Sequence, residues 1–292
     1  MAVPTLLRGN KPSSITQHAS APTTRSTAWW MSVAAGAAAL VAAAPTFLLD
    51  LLTGPAVMNG SARGTALVVL LIALPSLAGS LYACNRGVLR ARFVWLGALA
   101  YLFYNAVLFL FATPFNRLFP LYIVMASTAL WAVIAVVTET DADALTASVA
   151  PGLPRRAIAV YVWVMVAFNA LAWAAIIAPA LSADRPGSFL DGTGMTTNPI
   201  HVQDFVFWLP LAAAGAAALW RRNPRGSLVV GSILAMWVIE ALSIATDQWF
   251  GHQADPASTI VSTSLILPFV ISAGIGFVPL WFFLRPGQTA ST

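Results

Sequence analysis

Eight apolar runs follow one another through this sequence, each near the 20 or so residues that a helix needs to cross a bilayer, with short polar links between them. They extend from Trp29 to Leu52, Thr65 to Cys84, Phe93 to Thr113, Leu121 to Val137, Ile158 to Ser182, Asp204 to Trp220, Ser227 to Gln248 and Ile260 to Leu284. The runs are continuous rather than alternating at every second residue. That pattern excludes a transmembrane barrel and predicts an all-α, polytopic transmembrane helical bundle of eight spans. Only 9% of the 292 residues are charged and 59% are hydrophobic, too few charges to clothe a water-facing surface, so the lipid bilayer is the expected solvent.

The chain divides accordingly. Residues 1–28, rich in Ser, Thr and Pro, read as a disordered cytoplasmic tail. Residues 29–284 form the transmembrane domain, and 285–292 a second short cytoplasmic tail. Ala42-Ala43-Ala44 resembles a signal-peptidase site, but Pro45 behind it and the long tail before it argue against cleavage. With eight spans, Arg8, Lys11, Arg25, Arg86, Arg90, Arg92, Arg155, Arg156, Arg221, Arg222, Arg225 and Arg285 fall on one side, and only Arg63, Arg117 and Arg185 on the other. Cations in short loops stay cytoplasmic, which predicts a multi-pass protein of a bacterial plasma membrane with both termini inside.

An even number of spans invites a test for two halves, 29–137 and 158–284, in the same orientation. A shift of about 135 positions places Pro45 and Asp50 near Pro179 and Asp184, Pro75 on Pro210, and Asn105 on Glu240. Asn85-Arg86-Gly87 then matches the turn from Arg221 to Gly226, with a short insertion expected in the second turn. The alternative is that all membrane helices look alike.

Glu240 is the most informative residue. An acid at the middle of a span costs about 2.5–3.5 kcal/mol by insertion scales, so it must face protein or water, as a proton carrier, a cation ligand or a buried interhelical hydrogen-bonding group. Ser243 and Asp247 continue its helical face, Asp247 at the expected water interface. Asn105 and Asn169 are amides suited to bracing helices or shaping a site, and Tyr101, Tyr104 and Asn105 share one face. His201, Asp204, His252 and Asp255, with Asn116 and Arg117, fall at or beyond the expected outer helix ends. His201, Asp204 and His252 are candidate metal ligands, although their spacing matches no established motif, and solvated loop polarity is the simpler reading.

Several chemistries find no support. Lys11, in the tail, is the only lysine, which leaves no buried Schiff base. Phosphate-loop and GxSxG signatures are missing, and three histidines with one cysteine are too few for two haems or a cysteine zinc cage. No cofactor is expected. The net charge of +5 lies in loops and sets orientation, so no nucleic-acid partner is expected either.

Two stretches carry a resemblance. Tyr101-Leu-Phe-Tyr-Asn105 leading to Thr113-Pro-Phe-Asn-Arg-Leu-Phe119, and Thr197-Asn-Pro-Ile-His-Val-Gln-Asp204 leading to Leu219-Trp-Arg-Arg-Asn-Pro-Arg-Gly226, resemble segments of uncharacterised multi-spanning bacterial integral membrane proteins common in actinobacteria. The resemblance implies an acid that opens the sixth helix, here Asp204, and an arginine-rich turn before glycine that closes it. It implies no activity.

These readings lead to one expected function: binding or transport of a small solute or ion through an intramembrane polar site around Glu240, with Asn105, Tyr104, Ser243, Asp247 and Asn169 as its other candidates. The alternatives are an enzyme or metal site at the outer face, and a non-catalytic scaffold or sensor subunit.

Overall fold

The computed structural model describes residues 26–49, 51–149, 152–182 and 188–285. Residues 1–25 and 286–292 of the two tails lie outside these, as do Asp50, Asp184 and Arg185. Nine helices account for the described chain, eight of them long and apolar enough to span a membrane: α1 Thr27–Leu48, α2 Ala56–Asn85, α3 Ala91–Phe111, α4 Phe119–Glu139, α6 Arg155–Ala180, α7 Pro199–Trp220, α8 Pro224–Ala254 and α9 Thr263–Leu284. The ninth, α5 at Ala142–Ser148, is a short link whose start is capped by Asp141 accepting from the Asp143 and Ala144 N–H groups.

The bundle is organised around α3 and α8, the two most enclosed spans, which pack on each other. α2, α4 and α7 surround them, while α1 lies on α4 and α6 on α7. Most of α6 and α9 faces outward, with Phe168, Leu171, Leu267 and Val278 exposed where lipid is the natural solvent.

Several helices run beyond the expected apolar limits. α2 begins at Ala56, well before Thr65, because its first turns carry Asn59, Gly60, Ser61, Arg63 and Gly64, which depress hydropathy without breaking the helix. Gly60 and Gly64, four residues apart, let the two backbones nearly touch: a Cβ on Gly64 would lie 2.7 Å from the Thr246 carbonyl oxygen, and one on Gly60 only 2.4 Å from that of Phe250. This small-xxx-small contact underlies the most extensive helix pair of the bundle, α2 on α8. α8 continues to Ala254, so Asp247 sits about two turns inside its helix rather than at a helix end. α4 is also longer than expected, and its 21 residues reach about 31 Å.

α2 and α7 share an irregularity. Each contains a five-residue π-helical turn, Val69–Ala73 and Asp204–Trp208, followed by Leu-Pro. In both, the leucine N–H bonds back five residues, Leu74 to the Val69 carbonyl and Leu209 to the Asp204 carbonyl. Pro75 and Pro210 have no N–H, and their rings would clash with the carbonyl four residues earlier; the wider turn relieves that clash. Both helices then close in the same way. Arg86 N–H bonds to Tyr82, Gly87 to Cys84 and Val88 to Ala83, while Arg221 bonds to Ala217, Arg222 to Leu219 and Asn223 to Ala218. Gly87 and Arg222 both take positive φ, 83° and 59°. The correspondence passes through the turn without the expected insertion.

Candidate functional site

The site grows out of the α3 face on which Tyr101, Tyr104 and Asn105 stand, all three buried at its centre. Asn105 Nδ2 donates to its own helix at the Tyr101 carbonyl (3.1 Å) and across to Glu240 Oε2 on α8 (2.9 Å). The amide is thus held by its helix and aimed at the acid. Its Oδ1 is buried without a partner. Tyr101 reaches Ser243 with its hydroxyl, 3.0 Å from Oγ. Tyr104 interacts with Asp204 on α7.

Two more acids complete the group. Asp247 Oδ1 accepts from Thr65 Oγ1 of α2 at 2.8 Å, just beside the Gly64 crossing that brings the helices together. Asp204, which opens the π turn of α7, accepts from Trp173 Nε1 of α6 at 2.8 Å. Gln203 ties the same turn to α3 and to Trp208, through the Tyr104 carbonyl at 3.5 Å and Trp208 Nε1 at 3.1 Å. The Trp208 ring stands 5.9 Å from that of Tyr104.

Asp204, Glu240 and Asp247 are therefore three acids in the interior of one bundle, and among the described residues their carboxylates accept hydrogen bonds from the neutral donors Trp173, Asn105 and Thr65. Glu240 interacts electrostatically with both of the others. Such a group suits the uptake of a proton or a cation, because a positive charge arriving there meets acceptors that no fixed basic residue already satisfies.

The other candidates lie elsewhere or have other work. Asn169 stands on α6 one turn before Trp173, its Oδ1 buried and unpaired, and it shares no hydrogen bond with Asn105 or Glu240. His201 and Asp204 are buried within α7 rather than solvated at its mouth, since the helix begins at Pro199 under an Asn198 cap. The His201 ring lies 4.6 Å from Trp173 and 5.1 Å from Phe189. Asp204 follows that first turn instead of opening the helix. His252 occupies the last turn of α8 and Asp255 caps its end. Asn116 is buried in the loop between α3 and α4, where it accepts from the Leu118 N–H at 2.9 Å. Among the described residues, no three His, Cys, Asp or Glu side chains are grouped so as to hold a metal ion.

Thr65 and Trp173 were not singled out from sequence. Thr65 was the expected first residue of a span, and the Gly60–Gly64 spacing before it was the available signal. Nothing local marks Trp173 as the partner of Asp204.

The eight apolar helices define an integral membrane protein of the all-α, multi-pass class. No family model, curated protein or solved structure matches the chain.

Proposed function

We propose that this protein binds and carries a small solute or ion across a bacterial plasma membrane, with both termini cytoplasmic, through the polar site around Glu240. The observation that carries the reading is the placement of Asp204, Glu240 and Asp247 in the interior with, among the described residues, only neutral hydrogen-bond donors. Acids inside a membrane are costly and are retained chiefly along ion or proton paths. Glu240, Ser243 and Asp247 rise along one face of α8, and the seven residues from Glu240 to Asp247 span about 10 Å. A proton or small cation moving between Glu240 and Asp247 passes Tyr101 and Ser243, which are bonded to each other between them. The excess of arginine at one end of the bundle supports the orientation.

The test uses the full chain in liposomes carrying an internal pH-sensitive dye, with proton, sodium or potassium gradients imposed in turn. Glu240→Gln keeps the melting temperature near that of the parent, abolishes pH-dependent flux and removes any stabilisation by added cation. A variant with unaltered flux overturns the proposal.

A further inference from the structure

The geometry points to an internal duplication: two diverged copies of a four-span unit, related by a pseudo-two-fold axis along the membrane normal that passes between Asn105 and Glu240, so that the polar site is a former two-fold contact. The inference stands on the backbone and does not depend on the transport reading.

Its first support is register. The π turns Val69–Ala73 and Asp204–Trp208, the Leu-Pro pairs that follow, the helix ends at Asn85 and Trp220, the closing hydrogen bonds and the positive φ at Gly87 and Arg222 all share the separation of 135 that joins Asn105 to Glu240. Leu-Pro pairs and left-handed helix ends are common, so they discriminate little. π turns occupy well under about 1% of residues in proteins, and two at one register in equivalent spans set this chain apart from a set of merely similar helices.

The second support is packing. α2 on α3 corresponds to α7 on α8, α3 on α4 to α8 on α9, and α1 on α2 to α6 on α7. α3 and α8 are each other's equivalents, and they meet at equivalent residues. A Cβ on Gly97 would lie 2.7 Å from the Ser232 carbonyl oxygen, and Asn105 bonds Glu240 two turns further along.

The halves have diverged in a directed way. Asp204, Glu240, Ser243 and Asp247 stand in the second half, where the first has Val69, Asn105, Leu108 and Ala112. Tyr101 and Tyr104 stand in the first, where the second has Met236 and Ile239. The three side-chain bonds Thr65 to Asp247, Tyr101 to Ser243 and Asn105 to Glu240 all run from a donor in the first half to an acceptor in the second. Between side chains, the first copy has become the donor and the second the acceptor, while Gln203 and Thr246 of the second copy donate back to the Tyr104 and Gly64 carbonyls of the first. The packing has diverged as well: α2 lies along α8 far more extensively than α7 lies on α3, and α1 packs along α4 whereas α6 and α9 have no comparable contact, which leaves the second half more open.

Exchange across the axis tests this in the full-length protein. In Asn105→Glu/Glu240→Asn, the amide at 240 faces the carboxylate at 105 and the Met236 carbonyl, as Asn105 now faces Glu240 and the Tyr101 carbonyl. The exchange is expected to regain at least half of the melting-temperature loss of the worse single variant. Tyr101→Ser/Ser243→Tyr, which swaps a contacting but non-equivalent pair, is expected to regain none. Failure of the first exchange to exceed its worse single variant, or equal recovery by both, overturns the duplication. Cross-linking gives a second measure should the exchanges not fold. In a Cys84→Ser chain, Gly215→Cys/Val229→Cys joins α7 to α8, where the two Cβ positions are 3.1 Å apart. The equivalent Ser80→Cys/Val94→Cys joins α2 to α3, where both residues line one crevice. Cross-linking of both pairs supports the duplication; cross-linking of one alone, or of neither, overturns it.

Discussion

Asn105 and Glu240 face each other across the centre of the bundle, the amide Nδ2 lying 2.9 Å from the carboxylate Oε2. The amide's second bond, to the Tyr101 carbonyl, fixes which way it points. Removing either partner strands the other. We therefore expect Asn105→Leu and Glu240→Leu each to cost about 1–3 kcal/mol, and the double leucine variant to recover most of that loss, because two apolar partners leave nothing unsatisfied. Thermal unfolding of the four proteins as a double-mutant cycle checks it; additive losses would contradict the pairing.

Gly64 sets how closely α2 approaches α8. Gly64→Ala places a methyl 2.7 Å from the Thr246 carbonyl oxygen, a backbone atom that cannot turn aside, so the helices must part. A loss of about 1–3 kcal/mol is expected, with weakening of the adjacent Thr65–Asp247 bond. Gly79→Ala, in the same span but with nothing within 4 Å of the new Cβ, should be neutral or stabilising by up to about 1 kcal/mol. Side-by-side melting curves decide.

Tyr122 offers a contrast between stability and function. Its hydroxyl lies 2.9 Å from Thr46 Oγ1 in the α1–α4 contact, and its ring stacks on Phe109 at 5.0 Å. Tyr122→Phe keeps the ring and loses the bond, at a cost of about 0.5–1.5 kcal/mol. Flux per folded molecule should equal that of the parent, since this contact lies within the first half. A selective loss of flux at unchanged stability would extend the site to this contact.

Metal dependence separates the transport reading from a metal centre. No suitable group of ligands occurs among the described residues, and His201 is packed against Trp173 and Phe189. Purified protein is expected to carry less than one metal ion per chain by elemental analysis. Treatment with a strong chelator should leave melting temperature and flux unchanged.

Reading the polar residues from sequence worked where one helix decided the matter and failed where two did. Helical periodicity placed Glu240, Ser243 and Asp247 on one face of α8, and Tyr101, Tyr104 and Asn105 on one face of α3. The site's remaining members join it through other helices. Asp247 read as interfacial because apolar density falls after Ala245, yet the helix continues and α2 supplies Thr65. His201 and Asp204 read as groups at or beyond an outer helix end because the apolar run opens at Asp204, when Asn198 caps a helix that already starts at Pro199.

The sequence by itself determined the solvent, the class of fold and the number of crossings, because hydrocarbon leaves the backbone no alternative to long helices and each one needs its own apolar run. It also marked Glu240 as a mid-span acid that must face protein or water. Only the tertiary structure decided which groups meet that acid and how the polar turns of α2 close on α8. Those facts depend on contacts between segments up to 186 residues apart, as in the Ser61–Asp247 contact, and pairing at such distances leaves no local pattern in the chain.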